Sequence, residues 1–121
     1  MKENSVAGQD SSCPQLSLWQ TEWCPASRRV RQRLTELGVD VVLHQVPVDR
    51  DARDGVRSAT GSTTIPVLVA DGEAIVGENA IIDYLSRRFP ETLEARSHRA
   101  KAAKARARDL EEACRQLAAT P

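Results

Sequence analysis

Little in this 121-residue chain points to a charged or a membrane-embedded partner: 17 basic and 17 acidic side chains balance to a formal net charge of zero. A balanced chain exerts no global attraction on nucleic acid or acidic lipid, so electrostatic binding must come from a local patch. No nucleic-acid partner is expected. No apolar run is long enough to span a bilayer, and the opening MKENSVAGQDSS lacks the apolar stretch of a signal peptide. A cytoplasmic location without a membrane partner is the default expectation. Cysteine is scarce as well. Three are present, an odd number, at spacings that match neither a zinc-ligand pair nor a disulfide framework. Reduced thiols and no metal are therefore expected.

What is present suffices for one core. Hydrophobic residues make up 40% and charged residues 28%, the composition of a single globular domain with tails. Residues 1–14 are polar and aperiodic and read as a flexible leader. Leu16, Leu18 and Trp19 suit a short strand. From Pro25 the period changes. Val30, Leu34 and Leu37 fall at i, i+4 and i+7, with proline at the first helical position and Gly38 just past the end. Val41, Val42, Leu43 and Val46 mark a second strand, and VDRDARDGVRSATG reads as a short exposed helix. IPVLVADGEAIV is an antiparallel hairpin turning at Asp71-Gly72, with Pro66 at its entrance. Asn79 then precedes a helical stripe of Ala80, Ile81, Tyr84, Leu85 and Phe89, ended by Pro90. The expected class is α/β with a mixed sheet, in the order βαβαββα over residues 15–90.

The chemistry of that order centres on Cys24. A thiol attacks as the thiolate, and a free cysteine with a pKa of about 8.5 is mostly protonated at neutral pH. Cys24 falls where the first strand hands over to the first helix, so unpaired N–H groups and the positive helix end favour its anion. Arg28 and Arg29 act in the same sense and Glu22 against it. The bland alternative is an inert, small buried cysteine.

Three segments carry a family resemblance: WCPAS after the first strand, Thr64-Ile65-Pro66, and GENAIIDYL from Gly77 to Leu85. Their order and separation resemble the thioredoxin-like fold of glutaredoxins and of the amino-terminal domain of soluble glutathione transferases. The resemblance implies a thiol–disulfide oxidoreductase acting through Cys24. Ser27 stands where dithiol members carry a resolving cysteine, so it implies a monothiol route, with Ser27 also able to hydrogen-bond the thiolate. It further implies glutathione, or another low-molecular-weight thiol, as co-substrate. Ile65 and a cis Pro66 would hold its cysteinyl part, Glu78 and Asn79 its γ-glutamyl end, and Trp23 and Pro25 would line the site. Lysine before the cysteine and an aromatic after Cys-Pro, common in glutaredoxins, are replaced by Thr21, Glu22 and Ala26. The expected substrates are disulfide-bearing or thiolated proteins or small molecules. The other reading is a non-catalytic binding or regulatory module on the same scaffold.

Residues 91–121 are rich in helix formers and read as an added carboxy-terminal helix. Ala100, Ala103, Ala107, Leu110, Cys114 and Leu117 form a seam of 3-4-3-4-3 spacing. The seam is expected to pack on its own domain, the alternative being a homodimer. Cys13 is expected beyond disulfide reach of Cys24, Cys114 to be a packing residue, and His44 to sit at a surface or sheet edge.

Overall fold

The computed structural model describes residues 15–119. The leader, with Cys13, and residues 120–121 lie outside them. Strand β1 (Leu16–Gln20) leads through a turn to helix α1 (Pro25–Leu37), then strand β2 (Val42–Gln45), a 3-10 turn (Arg50–Ala52) and helix α2 (Asp54–Thr60). Strands β3 (Val67–Ala70) and β4 (Glu73–Val76) form the hairpin, followed by helices α3 (Glu78–Arg88) and α4 (Ala95–Ala119). The sheet order is β2-β1-β3-β4. β1 runs parallel to β2, with Leu18 opposite Leu43, and antiparallel to β3, with Leu18 opposite Leu68. This is the thioredoxin-like α+β fold with an added carboxy-terminal helix.

Alternation along β1 sends Leu16, Leu18 and Gln20 to one face. There Leu16 and Leu18 meet Val30, Leu34 and Leu37 of α1, Leu68 and Ala70 of β3, and Ile81 and Leu85 of α3. On the other face Trp19 stacks on His44 of the edge strand, ring centroids 4.2 Å apart, beside Gly55 of α2. His44 is thus an edge residue with an aromatic partner. The acidic-basic segment around α2 is not wholly exposed, because Val56 and Arg53 are buried. The Arg53 guanidinium donates to the carbonyls of Pro47, Val48 and Thr63, so one buried cation ties the strand-leaving loop to the segment before Pro66.

Helix α1 ends as its glycine dictates. Gly38 adopts φ +66°, and a Cβ there would lie 2.9 Å from the Thr92 side chain. Thr92 in turn donates from its amide and its hydroxyl to the carbonyl of Glu36, fixing where α4 begins.

The seam of α4 corrects an expectation. Ala100, Ala103, Ala107, Leu110, Cys114 and Leu117 do not pack on their own domain; all are exposed, Leu110 by 67% and Leu117 by 75%. Cys114 is accordingly an exposed free thiol and not a packing residue. The helix instead presents another face, including His98, Ala102, Ala105 and Arg106, to α1. Spacing identified an apolar face; the nearest helix took the adjacent one, because the arginines and glutamates there find partners. Among the described residues no helix is long and apolar enough to cross a membrane.

Candidate functional site

Cys24 is the N-cap of α1. Its backbone is extended (φ −81°, ψ 117°), Pro25 opens the helix, and Sγ accepts a hydrogen bond from the Ser27 amide at 3.4 Å. The sequence makes this arrangement local: proline needs no amide partner at the first helical position, and the sulfur takes the place of a serine or aspartate cap. The thiol is half-buried. Burial pushes its pKa up, but the Ser27 hydroxyl and the Ser27 and Ala26 amides together outweigh burial, and the net direction is downward. The nearby Glu78 carboxylate opposes that shift.

Ser27 is fully buried one turn into α1, and its hydroxyl also accepts from the Thr21 amide at 3.4 Å. One serine therefore ties the turn before the cysteine to the helix after it. Glu22, named in the sequence as a counter-charge, is turned towards Arg31, 3.1 Å away, and its side chain is exposed. The opposing carboxylate is Glu78, from 54 residues on. Arg29 does not act as a free cation beside the sulfur either. Both its Nε and Nη2 reach the Glu78 carboxylate, the latter at 2.7 Å. That pairing holds the Glu78 carboxyl below its ordinary range and the Arg29 guanidinium above its own.

The remaining candidates gather at the same end of the sheet. The Ile65–Pro66 peptide bond is cis, and Pro66 is buried immediately before β3. Because Trp19 pairs with Val67 and Val67 with Val76, the residues after β1, before β3 and after β4 emerge side by side. The Gly77 amide donates to the Pro66 carbonyl at 3.0 Å, joining the last two. Gly77, at φ +95°, is the N-cap of α3 and offers no side-chain cap. Helix α3 consequently begins at Glu78, two residues before the stripe that opens at Ala80, and leaves first-turn amides uncapped by a side chain. Asn79 is exposed in that turn, Glu78 half-buried, and Trp23 is 58% exposed beside Cys24. The arrangement offers a nucleophilic sulfur, a buried proline and a helix amino-terminus with a carboxylate. A small thiol with an ammonium and a carboxylate group has complementary chemistry. The sequence alone did not show the pairing of Arg29 with Glu78, nor the role of Arg53. For Arg53 the only signal was an arginine within a segment otherwise read as exposed.

With fold and site in view, the chain matches the family described as glutathione S-transferase, N-terminal domain, over residues 18–93. It belongs to that family. An uncharacterized glutaredoxin-like 8.6 kDa protein in the rubredoxin operon of Clostridium pasteurianum is 32% identical over 71 residues, covering 58% of this chain and 95% of that protein. Among solved structures, a glutathione S-transferase from Methylobacillus flagellatus with glutathione bound is 30% identical, with a TM-score of 0.56, over 63% of this chain and 38% of the other. A diazinon-metabolizing glutathione S-transferase of the silkworm Bombyx mori is 28% identical, with a TM-score of 0.56, over 63% of this chain and 39% of the other. The chain thus spans about two fifths of the length of these transferases.

Proposed function

We propose that the protein is a thiol–disulfide oxidoreductase acting through Cys24 by a monothiol route, with glutathione or another low-molecular-weight thiol as co-substrate. The observation that carries this reading is the cap geometry of Cys24, where buried Ser27 and two helix-start amides hold the sulfur towards its anion. A thiolate at Cys24 attacks the glutathione sulfur of a mixed disulfide. A new S–S bond forms, the old one breaks, and the electron pair leaves on the other sulfur as a thiolate. A second glutathione thiolate then attacks the Cys24 adduct, releasing glutathione disulfide and restoring the free sulfur. Ser27 supplies no second thiol, so no local disulfide competes with that step.

The small thiol lies across the same end of the sheet in this reading. Ile65 offers its backbone to the cysteinyl part and Pro66 faces the sulfur. The first turn of α3 takes the γ-glutamyl carboxylate, with Asn79 beside it, while Glu78 takes the ammonium in competition with Arg29. Trp23 and Pro25 supply the apolar edge. The relative solved with glutathione bound supports this choice of ligand. Such turnover needs a compartment that keeps small thiols reduced, which suits the cytoplasm. Disulfide-bearing or thiolated proteins or small molecules are the substrates. The exposed seam of α4 suits a second copy of the chain, giving a homodimer.

One observation favours the alternative of a non-catalytic binding or regulatory module: Glu78, which opposes the Cys24 anion, is already engaged by Arg29. Intact mass after incubation with glutathione disulfide separates the two. A glutathione-sized adduct on Cys24, absent in Cys24→Ser, supports exchange. An unmodified Cys24 with an ordinary thiol pKa supports the binding module.

A further inference from the structure

Helix α1 carries its arginines in different states of engagement. Between α1, α3 and α4 lies a cleft of about 440 Å³ lined by Arg28, Arg29, Arg33 and Arg106, with Gln32, Glu36 and Ile82. Arg29 is bound to Glu78 and Arg33 to Glu36 and Glu91. The other two are uncommitted. Among the described residues Arg106 reaches across from α4 only to the neutral Gln32 Oε1, at 2.6 Å. Arg28 makes no side-chain hydrogen bond among the described residues, and neither Arg28 nor Arg106 makes an ion pair among them. Asp109, one turn beyond Arg106, lines the adjoining groove that Arg28 and Arg106 also share.

Position ties these two cations to the reacting sulfur. The Arg28 amide donates to the Cys24 carbonyl at 3.0 Å, so Cys24, Arg28 and Gln32 follow at successive turns along one side of α1. Arg106 sits over the last of the three. Arg29, by contrast, points to α3, where the small thiol is placed. Positive charge without a carboxylate partner among the described residues therefore continues from the sulfur along the α4 side of α1, while the Arg29–Glu78 pair takes up the α3 side.

We propose that this cleft binds the carboxylate groups of the disulfide substrate, so that the half of the mixed disulfide which leaves is acidic. The proposal rests on Cys24 being the nucleophile. In the exchange the Cys24 electron pair forms the bond to the glutathione sulfur, the scissile S–S bond breaks, and the leaving sulfur departs as a thiolate on the Arg28 side. Two guanidiniums with no carboxylate partner among the described residues favour both its carboxylates and its new negative charge.

The test is a ratio of rates, measured in a background with Cys13 and Cys114 replaced by serine so that only one thiol reports. The dianionic reagent 5,5′-dithiobis(2-nitrobenzoate) and the neutral 2,2′-dithiodipyridine are reacted with that protein and with Arg28→Gln/Arg106→Gln. A changed thiol pKa affects both reagents and largely cancels in the ratio. In the double glutamine variant the anionic-to-neutral ratio is expected to fall about tenfold at low salt, the lower end of what a focused field contributes. Arg28→Lys/Arg106→Lys should keep most of it, and Arg87→Gln, on the outer face of α3, should leave it unchanged. An unaltered ratio in the double glutamine variant, with both reagents still reacting, overturns the cleft while leaving Cys24 chemistry intact. Failure of Cys24 to react with either reagent overturns both.

Discussion

Helices α1 and α4 lie side by side with similar arginine-rich sequences, yet they are attached to the molecule by opposite means. α1 sinks Val30, Leu34 and Leu37 into the core. α4 is nearly twice as long and buries only Ala95 among its described residues. Its hold on α1 is polar: Arg99 reaches Glu36 and Glu91, both of which also receive Arg33, and Arg106 reaches Gln32. Apolar burial depends on neither charge screening nor protonation, whereas ion pairs at a surface are weakened by salt and by acid. The sulfur-bearing helix is thus anchored by the core, and the helix that completes the basic cleft is anchored by titratable contacts.

The strongest way to break that contrast is at the core. Leu34→Ala should cost about 2–5 kcal/mol, the usual range for truncating a buried leucine, read as a lowered urea midpoint with the slope unchanged. Next in size is Glu36→Gln. Glu36 is buried and accepts from Gln32, Arg33 and Arg99, so neutralising it weakens two arginine contacts while keeping the shape. A loss of about 1–3 kcal/mol is expected. Faster amide exchange along α4 than along α1 should accompany it; equal acceleration in both would mean the two helices open as one unit.

Acid should release α4 before α1. Hydrogen bonds from Arg99 and Arg33 hold the Glu91 carboxyl at about 2, below the ordinary glutamate value of about 4.3. The folded value is the lower one, so the contribution is complete above the ordinary value and drains away as pH falls from there towards about 2. Glu36 is shifted in the same direction, burial opposing and Gln32 and Arg33 prevailing. Amide exchange in α4 followed across that window should rise while the core of α1 stays protected. At Cys24 the same reasoning predicts a reactivity midpoint below that of a free thiol, and an upward move in Ser27→Ala, which deletes the buried hydroxyl beside the sulfur. The alkylation rate against pH measures both; an unmoved midpoint would show that the amides alone hold the anion.

What could be read in the sequence follows the same division. Asp71-Gly72, Pro25 and Gly38 are local signals, and each marks an element boundary because backbone geometry there depends on one or two residues. WCPAS likewise placed Cys24 at a helix start. The polar partners were illegible. Arg53 binds carbonyls on both sides of α2, Glu36 receives Arg99 from 63 residues on, and the carboxylate opposing Cys24 proved to be Glu78 in place of the adjacent Glu22. Such pairs are made by the fold and leave no periodicity behind. The seam of α4 shows the limit of periodicity itself. Its spacing was real, but spacing says which residues share a face and nothing about what covers that face.

The smallest predicted effect lies on that seam and tests the pairing of two copies. In a dilute, monomeric sample Leu110→Ala and Leu117→Ala should each change stability by no more than about 0.5 kcal/mol, because both side chains are already in water. If the seam joins two copies, the same substitutions become costly as protein concentration rises, since only the dimer buries them. Wild-type unfolding midpoints should then climb with concentration and those of the two variants should not. Midpoints that stay independent of concentration, with a monomer mass by light scattering, would leave the homodimer without support and make α4 an exposed arm fixed chiefly by its contacts to α1.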